Sequence, residues 1–357
     1  MTLKSILTAS AVVLTAALPV GAQELDVGRI NATVPFGEGG GSDTLMRAVA
    51  PYLSDAFENE PTILVRNEPG GGGIPAANRF GKRAKTDGSD IFAMSSSIFI
   101  AKLLNAPQID FSLDEFTPVF IAPMGPLYYV SPSTGATETG DIEGMKGTQL
   151  VFGGGRQDSA DIMTVLQFDL LGFDVQSVWG LERGGGRIGF ERGEFNVDHQ
   201  TTAAYLRSVQ PLVEEGKAIT LMASGIISPQ GEIVRDPNFP EIPTFIELYE
   251  EMHGEPLSGP AYDAYFGLLS AAMTTGKAIV LPSGAPQEVV DAYGEAFEEV
   301  VTNPEFRAAT EKSLGNYELY VGEEALEIWG NVRPMSPEAF DWLANWYDET
   351  IGFQLKR

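Results

Sequence analysis

The stretch RINATVPFGEGGGSDTLMRAVAPYLSDAF, residues 29–57, sets the pattern for the whole chain. An apolar run over Arg29–Pro35 predicts a buried strand, and a glycine-rich turn over Gly37–Asp43 follows it. From Asp43 to Phe57, apolar residues recur at the spacing of one helical face. Ser42 stands where an N-cap belongs, and Asp43 complements the positive end of the helix. The stretch therefore predicts a strand, a glycine turn and a helix.

Two further glycine turns, Glu68–Gly73 and Gly153–Ser159, also lie between a strand and a helix. Apolar runs alternate with amphipathic helix patterns along most of the chain, which is typical of an α/β protein with mainly parallel sheets. The candidate strands are Arg29–Pro35, Thr62–Arg66, Asp90–Met94, Thr117–Ala122, Gln149–Phe152, Val175–Trp179, Asn196–Asp198, Ile219–Ala223 and Ala278–Leu281. A second regular helix is predicted over Pro286–Val301, and the segments Pro123–Gly147 and Gly254–Gly276 are interpreted as irregular.

The three glycine turns favour a ligand site at one edge of the sheets. Glycine lets the backbone approach a ligand closely, and unpaired N–H groups at a helix start attract anions. Ligands of open α/β sheets lie beyond the carboxyl ends of the strands. Glycine also serves tight turns with no ligand, so one loop alone favours that simpler interpretation, whereas three loops at one edge favour binding.

Polar side chains near these turns are further candidates. Ser95, Ser96 and Ser97 end the third strand, and their hydroxyls either donate to a ligand or cap the next helix. Arg156 suits bidentate binding of a carboxylate, with an ion pair to Asp158 or Asp161 as the alternative. His199 ends an apolar strand and is either a ligand contact or a structural histidine.

Composition narrows the function further. The chain has 23 basic and 49 acidic residues, a net charge of −26, so nucleic acid is an unsuitable partner. It contains no cysteine, which excludes disulfides and a lipid-accepting cysteine. Residues 1–22 combine Lys4, an apolar run too short to span a bilayer, and Ala22 before a predicted cleavage site. We therefore expect a signal peptide and a periplasmic protein.

The motifs of several enzyme classes are missing from the sequence. No Gly-x-x-x-x-Gly-Lys-Ser/Thr loop occurs, and no Gly-x-Ser-x-Gly elbow occurs. The run Gly184–Gly189 has the Gly-x-Gly-x-x-Gly spacing but follows polar residues instead of a buried strand. Only two histidines are present, so a zinc site would need mostly carboxylates. We predict no catalytic residues, no cofactor and no metal.

The chain resembles the periplasmic receptors of tripartite tricarboxylate transporters, also called the Bug receptors, over nearly all of the expected mature chain. The resemblance rests on the order and spacing of several motifs. They are Val34-Pro35-Phe36 with Gly40–Asp43, Asn67–Gly73, Arg192–Asp198, Pro240–Thr244, Leu281–Pro286 and Asn303–Phe306. The departures are Glu68 where arginine is usual, an additional glycine near Gly39, Arg156 with Asp158 in place of small residues, and a longer insertion at Gly254–Gly276.

The resemblance implies a type II two-lobed periplasmic binding fold, each lobe a mixed, mainly parallel sheet flanked by helices. The expected division is 23–124 plus 277–357 for lobe 1 and 125–276 for lobe 2. A small organic carboxylate would bind between the lobes and pass to membrane subunits of the transporter, with the receptor acting as a monomer. The predicted ligand-binding residues are Phe36, Gly40, Gly41, Ser42, Gly72, Gly73, Ser95, Ser96, Ser97, Gly155, Arg156, Asp158, Ser159, Asp198 and His199.

Two alternatives stay open at this point. One is a secreted enzyme acting on a carboxylated or phosphorylated substrate, with Asp198 or Asp158 as base and His199 as acid. The other is a receptor whose loaded form signals to a sensor protein. The sequence does not name the carboxylate.

Overall fold

The computed structural model of the protein describes residues 25–181, 184–228, 231–274, 276–330, 332 and 335–356. The predicted signal peptide, residues 1–22, lies outside the described residues. The strands are β1 (Arg29–Val34), β2 (Thr62–Asn67), β3 (Asp90–Ser95), β4 (Phe116–Ala122), β5 (Pro126–Val130), β6 (Leu150–Gly153), β7 (Val175–Val178), β8 (Val197–Thr201), β9 (Ile219–Ala223), β10 (Ile226–Ile227), β11 (Ile233–Val234), β12 (Lys277–Pro282) and β13 (Tyr320–Val321).

The helices are α1 (Gly41–Asp55), α2 (Ile74–Arg83), α3 (Ser96–Leu103), α4 (Ile162–Leu170), α5 (Gly185–Glu191), α6 (Thr202–Ser208), α7 (Gln210–Glu214), α8 (Phe245–His253), α9 (Gly259–Thr274), α10 (Gln287–Thr302), α11 (Pro304–Leu314), α12 (Gly322–Gly330) and α13 (Pro337–Trp346). None of these described helices is long and apolar enough to cross a membrane.

Two mixed sheets organise the chain. A six-stranded sheet has the order β13-β4-β12-β3-β1-β2, and a five-stranded sheet has the order β7-β6-β8-β5-β9. We call the first sheet with its helices lobe 1 and the second with its helices lobe 2. The chain leaves the first sheet after β4 and returns to it at β12, so its strands pass between the two sheets twice. The predicted division into 23–124 plus 277–357 and 125–276 stays a prediction.

Parallel and antiparallel pairs occur in both sheets. Strand β1 runs parallel to β2 and β3, whereas β12 is antiparallel to β3 and β4. In lobe 2, β6 is parallel to β7 and β8, while β5 is antiparallel to β8 and β9. The mixed α/β architecture predicted from the sequence is confirmed, with a larger antiparallel part than predicted, because the strands next to each crossing run antiparallel to their neighbours.

Two segments interpreted as irregular are regular elements. Within 123–147, residues Pro126–Val130 form the buried strand β5 between β8 and β9. Within 254–276, residues Gly259–Thr274 form α9. Glycine and proline near its start suggested a loop, and its apolar residues are not confined to one face, so the usual period of a surface helix is missing.

A different layer of apolar side chains packs on each face of the first sheet. On β3, Ile91 and Ala93 pack in the layer that contains Leu45 and Val49 of α1, while Phe92 and Met94 pack on the opposite face with Phe80 of α2. Alternation along the strand produces this division. Helix α1 therefore lies over one identified face of β3.

The C-terminal segment packs against lobe 2. Leu343 and Tyr347 belong to the same apolar cluster as Phe168, and the Trp346 indole N–H donates to Asp169 at 2.7 Å. The Tyr347 hydroxyl donates to the Gln157 carbonyl at 2.8 Å. This segment was predicted as part of lobe 1. In the structure it packs against residues of lobe 2.

Candidate functional site

The carboxyl ends of three strands lie at one edge of lobe 1. Because β1, β2 and β3 run parallel, Val34, Asn67 and Ser95 end side by side, and each is followed by one of the predicted binding segments. This is the edge where open α/β sheets bind ligands.

The first loop leads directly into α1. The helix begins at Gly41, and its N-cap is Gly40 in an extended conformation, with no side chain capping the helix. The prediction that Ser42 is the N-cap is wrong, because Gly40 ends the extended backbone two residues earlier and Ser42 lies buried inside the first turn. The start of α1 therefore offers backbone N–H groups that no side chain caps.

Asp43 holds this loop in place. Its carboxylate accepts hydrogen bonds from the Gly39 N–H at 2.8 Å, from Arg47 Nε at 2.9 Å and from Asn67 Nδ2 at 2.9 Å. Asn67 Nδ2 also donates to the Phe36 carbonyl at 2.9 Å. Burial opposes ionisation of Asp43, but the hydrogen bonds from Arg47, Gly39 and Asn67 outweigh it and lower the pKa of the carboxyl group. One ionised side chain thus connects the first and second loops.

The second loop is a tight turn of glycines with positive φ. Gly72 has φ 66° and Gly73 has φ 85°. A Cβ atom on Gly73 would lie 2.9 Å from Ile98 Cδ1, and one on Gly72 would lie 2.8 Å from Arg156 Cδ. Both positions therefore require glycine for conformation and for space, and Gly72 brings lobe 1 into contact with the third glycine turn, in lobe 2.

The three serines at the end of β3 and the start of α3 are all buried. Ser95 is the N-cap residue, yet its side chain makes no capping hydrogen bond. Its hydroxyl is fully enclosed and has no hydrogen-bond partner among the described residues. A buried hydroxyl without a partner is costly, so Ser95 is available to a ligand that enters this edge.

Sequence reasoning missed Lys277, the first residue of β12. It is the antiparallel neighbour of Ser95 and only 2% exposed. A Cβ atom on Gly41 would lie 3.3 Å from Lys277 Cε and 3.7 Å from its Nζ. A lysine directly before the apolar run Ala278–Leu281 was the available signal, but the antiparallel register that brings it to Ser95 was not predictable.

In lobe 2, the third glycine turn makes most of its polar contacts within itself. Arg156 donates to both carboxylate oxygens of Asp158, at 2.8 and 2.6 Å, so the ion pair considered above is present. The Ser159 hydroxyl donates to the Arg156 carbonyl at 2.9 Å, and the Gly155 N–H donates to Asp161 at 2.7 Å. Whether a ligand replaces Asp158 as the partner of Arg156 stays a prediction.

Asp198 and His199 lie on opposite faces of β8, as successive residues of a strand do. Asp198 is buried and accepts hydrogen bonds from the Tyr129 hydroxyl and from Gln200, while burial raises the pKa of its carboxyl group. His199 Nδ1 lies 2.8 Å from the Thr164 hydroxyl, and Nε2 lies 3.7 Å from Asp161. Each side chain therefore has a local structural partner.

A cavity of about 470 Å³ lies between the lobes beside the start of α1. Gly41 and Thr44 line it from lobe 1, and residues of α6 and α7 line it from lobe 2, including Arg207. Gly41 therefore borders both Lys277 and a space large enough for a small organic molecule.

No family model and no curated protein sequence matches the chain. Among solved structures, a Rhodopseudomonas palustris protein with adipate aligns with 91% of this chain and 98% of its own at a TM-score of 0.65 and 18% identity. The fold is that of the two-lobed periplasmic binding proteins. The periplasmic binding protein BugD aligns at a TM-score of 0.64 over 92% of this chain and 99% of its own, with 18% identity. MatC from R. palustris, with bound malate, aligns at a TM-score of 0.59 over 85% of this chain and 98% of its own, also with 18% identity.

Proposed function

We propose that this protein is an extracytoplasmic solute receptor that binds a small organic carboxylate between its two lobes and delivers it to a tripartite tricarboxylate transporter. The observation that carries the proposal is the buried donor group at the edge of lobe 1. There the start of α1 has no side-chain cap and Ser95 Oγ has no partner among the described residues. Both features suit an oxygen-rich anion.

The similar structures support the ligand class. One carries malate and another adipate, and both molecules are dicarboxylic acids. The alignments extend over most of this chain and nearly all of the solved chains. The shared fold supports a receptor, and the donors described above supply the reason to propose a carboxylate for this chain.

Closure of the lobes would provide the mechanism. The contact between Gly72 and Arg156 brings the two predicted binding edges together. A carboxylate that contacts both edges binds the closed arrangement more tightly than the open one and shifts the population toward it. Arg156, Asp158, Ser159 and Gly155 would then contribute from lobe 2, and the closed form would dock on the membrane subunits.

The cellular location and the oligomeric state of the protein form part of the same proposal. Residues 1–22 would direct export and be removed, which leaves a monomeric periplasmic receptor. Mass spectrometry of protein purified from the periplasm tests the cleavage directly, with Gln23 expected as the first residue. A retained Met1 would contradict it.

The enzyme alternative receives no support from the contacts of its candidate residues. Asp198 lies on the face of β8 opposite His199, and Asp158 is paired with Arg156. An acid–base pair requires a carboxylate and an imidazole that both reach the substrate. We therefore propose binding without catalysis.

A thermal-shift screen of the periplasmic protein against organic acids, amino acids, sugars, nucleotides and metal ions tests the function. A ligand at roughly a hundred times its dissociation constant adds about 2.7 kcal/mol of stability. We expect a shift with one class of carboxylates only. Stabilisation by nucleotides or metals, with none by any acid, would contradict the receptor proposal.

A further inference from the structure

We infer that Ser95, Lys277 and the start of α1 together form the subsite that holds one carboxylate group of the ligand, with Lys277 as its cation. This inference rests on the proposed function and deepens it, because it names a charged residue that selects acids over their uncharged analogues. Lys277 was not among the residues expected from the sequence.

The register of the central strands brings the two side chains together. Lys277 of β12 pairs directly with Ser95 of β3 in the antiparallel ladder. Side chains of directly opposed residues lie on the same face, with Cβ atoms about 5 Å apart. A serine and a lysine at this spacing can both reach one carboxylate.

The face on which they lie is the one covered by α1. Ile279 and Leu281, which alternate with Lys277 along β12, pack in the same apolar layer as Ala93 of β3 and Leu45 of α1. Lys277 and Ser95 continue this face to the edge of the sheet, where Gly41 begins the helix. A Cβ atom added to Gly41 would lie 3.3 Å from Lys277 Cε, which agrees with this placement.

The Ser95 hydroxyl is an independent indication of a ligand. The residue is 1% exposed, and its oxygen has no partner within the described part of the chain. Proteins rarely leave a buried hydroxyl unpaired unless something else pairs with it in a functional state. A carboxylate oxygen accepts a charge-assisted hydrogen bond from a hydroxyl group, and such a bond is stronger than a neutral one.

Lys277 adds the charge that the backbone donors lack. Lys277 is 2% exposed and lies beside Ser95 and Gly41, so its positive charge is placed at the edge where the backbone donors lie. The positive end of α1 acts in the same direction, since it favours negative charge near Gly41. In a chain with a net charge of −26, a local cation of this kind counters the overall repulsion of an anionic ligand.

The test is a calorimetric titration of wild-type protein and Lys277→Met with malate, adipate and adipamide, the uncharged diamide of adipate. We expect Lys277→Met to bind the acid at least tenfold more weakly. We also expect the preference for adipate over adipamide to fall by a similar factor, because the substitution removes the charge that recognises the carboxylate. A structural role alone would weaken acid and amide equally and would contradict the inference.

Lys217→Met is the matched control, because it removes the same charge from an exposed side chain in lobe 2 that pairs with Glu215. Its affinity should stay within twofold of wild type. If Lys277→Met does not fold, Ser95→Ala tests the same subsite through its hydroxyl group, and we expect it to bind the acid more weakly than wild type. Equal affinity of wild type and either folded variant for an acid would overturn the inference, whereas failure of the wild type to bind any acid in the thermal screen would contradict the proposed function.

Discussion

The two edges that face each other between the lobes differ in how their polar groups are satisfied. In lobe 2, Arg156 is paired with Asp158, Ser159 with a backbone carbonyl and Asp198 with Tyr129. In lobe 1, Ser95 has no partner among the described residues and no side chain caps α1. Lobe 1 therefore has donors to offer a ligand, whereas lobe 2 must exchange existing partners.

From this difference we expect the two lobes to contribute differently to ligand binding. Unsatisfied donors gain hydrogen bonds without losing any, so the lobe 1 edge should provide most of the affinity. The lobe 2 edge should mainly stabilise the closed arrangement of the lobes, through the contact of Arg156 with Gly72.

The largest expected effect is a loss of stability when Asp43, which connects the first and second loops, is replaced. Asp43→Ala should lower the free energy of unfolding by about 2–3 kcal/mol at pH 7, because three donors lose a charged acceptor. The folded-state pKa of Asp43 is lowered, so its stabilisation is present above the unfolded pKa of about 3.9 and is lost as the pH falls through the folded value. Urea denaturation of both proteins between pH 7 and pH 3 should show the difference shrinking in acid.

Asp55→Ala is the control for this measurement, since Asp55 is an exposed carboxylate in the same helix. Its effect should stay within about 0.5 kcal/mol, as is usual for surface substitutions. An equal loss in both variants would show that Asp43 does not hold the two loops together.

The next effect concerns closure. Gly72→Ala and Gly39→Ala both place alanine at positive φ, 66° and 73°, and should each cost about 1–2 kcal/mol in stability. Only the Cβ on Gly72 meets Arg156 of the other lobe, because Gly39 faces open space. Calorimetry should therefore show about tenfold weaker carboxylate binding for Gly72→Ala than for Gly39→Ala. The same affinity in both variants would contradict a role for this contact in closure.

A smaller effect compares one serine from each edge. Ser95→Ala should raise the free energy of unfolding of the ligand-free protein by about 1 kcal/mol, because it removes a buried hydroxyl without a partner. Ser159→Ala should lower it by about the same amount, since that hydroxyl donates to the Arg156 carbonyl at 2.9 Å. Chemical denaturation of the two variants checks the opposite signs, and a loss in both would mean that Ser95 is satisfied without ligand.

The smallest expected effect is the change in stability with pH when Asp198 is replaced by asparagine. Its folded-state pKa is raised by burial, so the stability it contributes is full below the unfolded pKa and is lost as the pH rises through the raised value. Asp198→Asn stays neutral and keeps an acceptor for Tyr129. Its stability relative to wild type should therefore increase from pH 4 to pH 7, by less than about 1 kcal/mol in total, as is common for conservative changes. A difference that does not vary with pH would contradict the raised pKa.

Much of the fold was predictable because local patterns and tertiary packing agree. The strand, glycine turn and helix of residues 29–57 form as expected, since the apolar face of α1 covers the face of β1 and β3. Strand β5 and helix α9 were missed for one common reason. Both are buried from several sides, and full burial removes the polar–apolar period on which sequence interpretation depends.

The candidate site was predictable only where the backbone itself carries it. Glycine turns at strand ends are visible in the sequence, so the positions of Gly41 and Gly72 at the edge were expected. Lys277 depends on the antiparallel register of β12 with β3, two strands separated by the whole of lobe 2 in the chain. No local pattern encodes such a pairing, and a single lysine before an apolar run has several ordinary explanations.

A crystal structure of the protein with the carboxylate that gives the largest thermal shift tests the central claim most directly. We expect carboxylate oxygens within about 3 Å of Ser95 Oγ and Lys277 Nζ, the normal range for such hydrogen bonds, beside the first turn of α1. A carboxylate held only by Gly155–Ser159 of lobe 2, with Ser95 still unpaired, would contradict it.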